Sequence, residues 1–356
     1  MFFQKTNKIT MNSTNQVKVV LTTQPDNLLD VSDEVFEALN IAINCIVVHL
    51  LSSLGVIGNS LNIAVLSQHS MRDTTNLILL CLSVSDLCFS CFMEIYYINK
   101  IVFYFDQYLS MTMWSYISVL TVPVQTLLFF TSTSLVMILS VERMVAVCFP
   151  FHVSRIVTRF RIKFLIGVFI FGLAGVVSPL YGARTLETVT FNNVTIVSGV
   201  STEFFTNAYI SAFYMFLTIY LLVFITSVVI VCTIITLASL TVSSNKIQHL
   251  SAEVMLKRAR EMRSARTSLC LSSSLIFLVL VPSGLFDIIF ASNNSLFRFT
   301  TKALMVLNTF KQILYLFHSS FNLVLYVFTS PKFAQTFRRI FQIKDWLKIF
   351  EHTKNI

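Results

Sequence analysis

Leu82-Ser83-Val84-Ser85-Asp86-Leu87 places one carboxylate near the middle of an apolar run that extends from about residue 75 to 99. Such a run is too long for a buried strand, and it exceeds the roughly 20 residues that a helix needs to cross the hydrocarbon core of a bilayer. Six more runs of that kind lie at roughly 41–67, 115–140, 162–182, 207–240, 267–291 and 303–329. A helix satisfies its own backbone groups where no water can reach them, so each run reads as a transmembrane helix. The expected fold class is an all-α membrane protein, a seven-helix bundle. Its divisions are an amino-terminal tail over 1–40, a membrane domain over 41–329 and a tail over 330–356.

Composition agrees with this. Of 356 residues, 55% are apolar and 12% charged, against about 45–50% and about 25% in soluble domains. With 34 Phe but only 8 Gly and 6 Pro, the chain has too much apolar area for the disordered or collagen-like classes.

The net charge of +9 is divided by topology. The amino-terminal segment and the loops near 100–114, 183–206 and 292–302 carry seven Lys/Arg and eight Asp/Glu. The opposite side carries seventeen and five, a net of +12. The positive-inside rule then puts the amino terminus outside and the carboxyl terminus in the cytosol, and no nucleic acid is needed to explain the excess. The glycosylation tripeptides at Asn12, Asn193 and Asn293 fall on the same outer side. No signal-type apolar core precedes the first span, which is expected to act as an uncleaved anchor. The seven Cys lie within spans or, for Cys148, at a helix end, so no structural disulfide is expected.

Ionisable side chains at membrane depth are costly and are candidates for function. Asp86 is the leading one, with Asn59 and Asn322 as partners at similar depth. Gly58-Asn59, Leu82-Ser83-Val84-Ser85-Asp86, Glu142-Arg143, Pro282 and Asn322-Leu323-Val324-Leu325-Tyr326 follow one another on spans one, two, three, six and seven. In that order the chain resembles the rhodopsin-like G-protein-coupled receptors. Met71-Arg72-Asp73-Thr74-Thr75-Asn76, with the Glu-Arg pair, is similar to invertebrate, particularly molluscan, chemosensory-like and orphan peptide-type receptors.

The resemblance implies roles residue by residue. Asp86, Ser132, Ser319 and Asn322 match positions that hold a sodium ion in relatives, although His318 stands where many have Asn. A polar cluster that only ties helices together is the competing reading. Glu142, Arg143, Pro282, Asn322 and Tyr326 match the activation switch. Arg143 and Phe151 match the face that meets a heterotrimeric G protein, and the basic run with Lys257 and Arg258 either adds to that face or is a solvated helix extension. Several departures stand out: Leu323 replaces the seventh-span Pro, and Val279-Leu280-Val281-Pro282 lacks the usual Cys-Trp pair. Ser118 stands where a disulfide Cys is usual, and loop 183–206 has no partner for one.

On the outer side, Glu94, Tyr97, Gln125, Phe129, Asp287, Lys311 and Gln312 are the ligand candidates. Gln125 replaces the Asp that receptors use against amines, and Leu316 the Lys that binds retinal, so neither ligand class is expected. Glu94, Asp287 and Lys311 either hold a zwitterion or peptide or neutralise one another. After Pro331, Phe333, Phe337, Ile340 and Phe341 recur at helical spacing among Lys332, Arg338 and Arg339, which predicts a short amphipathic helix on the lipid surface. No nucleotide loop, metal-spaced cluster or nucleophilic triad is present, so no enzyme is expected. The expected function is a plasma-membrane receptor for a chemosensory small molecule or odorant. The alternatives are a receptor for an FMRFamide-like neuropeptide and, from another class, a small transporter.

Overall fold

The computed structural model describes residues 32–70, 73–149, 152–191, 194–245, 265–292 and 300–341. Where the apolar runs begin, short polar side chains cap the helices. Ser32 opens α1 (Asp33–Leu66) by accepting the Val35 N–H at 3.4 Å, with Asp33 and Glu34 in the first turn complementing the helix dipole. Asp73 opens α2 (Thr74–Val102), accepting the Thr75 N–H at 3.1 Å, and Asp106 opens α3 (Gln107–Cys148), accepting the Leu109 N–H at 2.9 Å. Thr158 opens α4 (Arg159–Val177), and Thr300 opens α7 (Thr301–Thr329). Between them lie α5 (Ala208–Asn245) and α6 (265–292). Every expected span falls on one of these helices.

Two boundaries differ. The segment near 100–114, read as a loop, is mostly helix, because the Asp106 cap starts α3 at Gln107 and only about one turn of chain separates it from α2. Helix α1 likewise starts inside the segment assigned to the amino-terminal tail.

Among the described residues, six helices are each long and apolar enough to span a membrane. Helix α7, diluted by His318, Ser319, Ser320 and Asn322, qualifies together with α8 (Pro331–Phe341), from which it is bent by 102°. Pro331 makes that corner, since it cannot donate a backbone hydrogen bond. Phe333 and Ala334 of α8 are buried, and the Phe333 ring meets Tyr326 at 5.5 Å. His69, in the turn after α1, ties to Thr336 at 3.0 Å. Burial holds the His69 imidazole below its ordinary pKa, and Lys332 and Arg339 push the same way against Asp73.

Outward, the bundle presents Phe160, Phe171, Phe213, Phe216 and Phe277, an apolar surface that lipid would cover. Inward, α3 packs against α2, α4 and α5, while α1 packs against α2 and α7. A π-helical turn at Ile276–Leu280 precedes Pro282, whose missing N–H perturbs the ladder there. With Leu323 in place of a Pro, α7 is α-helical throughout Thr301–Thr329.

The loop after α4 contains the strands β1 (Arg184–Phe191) and β2 (Val194–Ser201), an antiparallel hairpin that was not expected. Alternation through Thr188-Val189-Thr190-Phe191 and Val194-Thr195-Ile196-Val197 about an Asn pair was the available signal. The hairpin rests on α3: the Val197 N–H donates to Thr112 Oγ1 at 3.4 Å, and the Gly199 N–H to Ser115 Oγ at 3.1 Å. All seven Cys are free.

Candidate functional site

Asp86 is fully buried. Its two oxygens are held from two helices, Oδ1 accepting from Ser132 Oγ on α3 at 2.6 Å and Oδ2 from Asn322 Nδ2 on α7 at 2.7 Å. Ser319 lies alongside. Asn59 does not reach Asp86; its amide donates to the carbonyls of Gly55 at 3.0 Å and Ser319 at 3.2 Å, joining α1 to α7. His318 is also buried and turns to α6, where Ser274 Oγ meets its Nδ1 at 3.0 Å. Tyr315 carries this polar core towards one end of the bundle, its ring 4.8 Å from Phe129 and 4.4 Å from Phe89. Tyr326 continues it towards the other end, beside Ser83.

At the Tyr326 end, the Glu142 side chain is 4% exposed and Arg143 11%. Arg143 donates to Glu142 through Nε at 3.0 Å and Nη2 at 2.9 Å. The first turn of α2 supports both. Thr74 Oγ1 donates to Glu142 Oε1 at 2.6 Å and Thr75 Oγ1 to the same oxygen at 3.0 Å, while Arg143 Nη2 also donates to Thr75 Oγ1. Sequence reasoning had not singled out these threonines. Their signal is a polar pair at the end of an apolar span, set there by the Asp73 cap. Phe151, Lys257, Arg258 and the three glycosylation candidates Asn12, Asn193 and Asn293 lie outside the described residues.

At the Tyr315 end a cavity of about 640 Å³ opens between the helices. Gln125, Phe129, Asp287, Lys311 and Gln312 line it, five of the seven ligand candidates. Lys311 Nζ donates to Asp287 Oδ1 at 2.8 Å, with both side chains about one quarter exposed. Gln125 is oriented by donating to the Phe92 carbonyl at 2.9 Å. Tyr97 lines a neighbouring cavity of about 410 Å³ and donates to Gln312 Oε1.

Glu94 departs from the group. It turns towards α1, where Oε2 meets His49 Nδ1 at 2.5 Å and Oε1 accepts from Ser53 Oγ at 3.0 Å, and it lines neither cavity. His49 itself was not singled out, although an ionisable side chain inside the first span is the available signal. Glu94 therefore joins no triad with Asp287 and Lys311: those two pair with each other, and Glu94 hydrogen-bonds to α1.

This arrangement, with a buried carboxylate on α2, a Glu-Arg pair ending α3 and a cavity at the far end, is matched over residues 58–348 by the model of the family described as 7 transmembrane receptor (rhodopsin family). The chain belongs to that family. It is accordingly a G-protein-coupled receptor and not an enzyme, a multi-pass membrane protein that meets an extracellular ligand and signals through G proteins. A comparison with curated proteins finds no match. The matched stretch of the receptor takes in the Asp86 core, the Glu142–Arg143 pair, the lining of the larger cavity and α8, while His49 and Ser53 precede it.

Proposed function

We propose that this receptor sits in the plasma membrane with its amino terminus outside, and binds a chemosensory small molecule or odorant in the 640 Å³ cavity. One observation carries the reading. Tyr315 lines the cavity and neighbours Asp86 and Ser132, and Tyr326, also near Asp86, lines a cleft with Thr75, which donates to Glu142. Cavities of roughly 300–1,000 Å³ suit small ligands, which favours this reading over a neuropeptide. Ligand contact at Gln125, Phe129, Asp287, Lys311 and Gln312 shifts the helix bundle between two states. The cytosolic side, with Arg143, Phe151, Lys257 and Arg258, then engages a heterotrimeric G protein while α8 lies on the lipid surface. The test is a reporter cell line with a promiscuous G protein, challenged with odorant and peptide libraries, with Arg143→Ala as control. Activation by peptides alone would overturn the small-molecule reading, and ligand uptake without dependence on guanine nucleotide would restore the transporter.

The residues around Asp86 fit a sodium ion. The carboxylate supplies the charge, Ser132 and Ser319 supply hydroxyls, and Asn322 Oδ1 is buried without a hydrogen-bond partner among the described residues. Hard cations take such oxygens. When bound, the ion would neutralise the carboxylate and hold α2, α3 and α7 together.

Two expected outcomes follow from this site. Asp86→Asn keeps the volume but reverses the hydrogen-bonding sense of one oxygen, so one of the Ser132 or Asn322 contacts must rearrange. Agonist response should change about tenfold, a cost of about 1.4 kcal/mol in the range of one buried hydrogen bond, while surface level stays within about twofold. Surface labelling beside dose–response curves checks this, and an equal loss of both would indicate a packing role only. Lys311→Ala strands Asp287 beside the cavity, and potency should fall by about tenfold or more. Unchanged potency would remove Lys311 from the ligand set.

A further inference from the structure

The charges that line the two cavities do not balance. In the larger one Asp287 is matched by Lys311, which leaves Arg184 of β1 over. In the smaller one Lys100 is the lone charged residue. Among the described residues neither the Lys100 nor the Arg184 side chain makes a hydrogen bond or an ion pair, Lys100 being half-buried and Arg184 exposed at the cavity edge, and Glu94, the nearest carboxylate on α2, is taken by His49 and Ser53. Instead, the Lys100 ammonium lies 5.3 Å from the centre of the Trp114 ring, and Trp114 meets Tyr96 edge to face at 5.0 Å. Tyr96 and Trp114 line both cavities, so the two adjoin at an aromatic wall, with Arg184 lining the larger and Lys100 the smaller. A cation–π contact recovers less than a desolvated ammonium gives up. The rest of the larger cavity mixes apolar walls, Phe89, Phe130, Val122 and Leu222, with neutral polar groups such as Thr126, Ser283 and Asn308.

We propose that the two cavities form one site for an anionic ligand, a carboxylate on an apolar or aromatic body, with Lys100 and Arg184 as its counter-ions. The body fills the space against Phe129 and Tyr315, and the carboxylate supplies the missing negative charge beside the Tyr96–Trp114 wall. This assigns the ligand class of the cavity and rests on the reading of that cavity as the ligand site.

The test uses the full-length receptor, purified in detergent, with 3-phenylpropanoate, naphthalene-2-acetate and decanoate as probes and their primary amides as neutral controls. The acids should bind at least about tenfold more tightly than the amides, equivalent to about 1.4 kcal/mol, read as concentration-dependent thermal stabilisation. That preference should disappear in Lys100→Gln and shrink in Arg184→Gln. Lys100→Met, which removes the unpaired cation, should leave the ligand-free receptor as stable as before or more so. Stabilisation by aryl acids above decanoate points to a soluble ligand, and the reverse order to a lipid-derived one. Amides as good as acids, no shift with any acid at millimolar concentration, or an acid preference that survives both Gln variants would overturn the proposal. Acid-selective binding without a response in the G-protein reporter would leave the anion site standing and remove the cavity's signalling role.

Discussion

Gly55→Val should deplete the receptor from the cell surface and lower its unfolding temperature, the largest loss of stability expected from a single methyl-scale change in this bundle. A Cβ at position 55 would fall 2.3 Å from Ser90 Oγ, 2.8 Å from Ser320 Oγ and 3.1 Å from Ser90 Cβ. Neither hydroxyl is idle. Ser90 donates to the Asp86 carbonyl at 2.9 Å, and Ser320 donates across the helix contact to the Leu51 carbonyl at 2.8 Å. Rotating them away gives up those bonds, and the Ser90 Cβ cannot rotate at all. Inside lipid there is little hydrophobic drive between helices, so close packing at small residues is what joins α1 to α2 and α7. Overpacking costs about 1–3 kcal/mol where neighbours can adjust, and the branched valine should exceed that. The control is Gly172→Val, because a Cβ at Gly172 meets nothing within 4 Å. Wild-type surface level and unfolding temperature in Gly55→Val would refute the argument.

The second large effect concerns basal signalling. Glu142→Gln removes the charge that holds Arg143 but keeps the shape that Thr74 and Thr75 grip. If about 1–2 kcal/mol of charge-assisted bonding is lost from the resting arrangement alone, the active fraction rises by about 5–30-fold. Ligand-independent reporter output should therefore climb severalfold at equal surface level. Thr75→Val should give a smaller rise, since it removes one acceptor for Arg143 and one donor to Glu142 without changing any charge. Arg143→Ala acts in the opposite direction, with output falling to background while the surface level drops only in part. It also strands Glu142, and breaking a buried pair costs about 3–5 kcal/mol, so some loss of stability accompanies it. A Glu142→Gln receptor as silent as the parent would show that the pair is not a restraint.

Depth in the membrane was legible in the sequence, and direction around the helix was not. Bilayer thickness makes span length a counting problem, so all seven helices were found; a buried carboxylate must have partners, which named Asn322 correctly and Asn59 wrongly, while Ser132 came from the family resemblance. Glu94 and Tyr97, three residues apart, show the limit: one turns to His49 on α1 and the other to Gln312 on α7. Helix crossing sets that choice, and crossing depends on close approaches such as Gly55 that no local pattern reveals. The hairpin was missed for a different reason. Its alternation is present, but a loop between two spans invites no search for strand pairing.

The hairpin, whose Arg184 lines the 640 Å³ cavity, has no disulfide tether and is joined to α3 by two backbone N–H groups that donate to the hydroxyls of Thr112 and Ser115. Reducing agents therefore have nothing to cut, and the fold can be completed in a compartment of any redox poise. What competes for this joint is water. Heat and denaturant should loosen the entrance before the membrane core, which makes the access route to the cavity softer than the cavity itself.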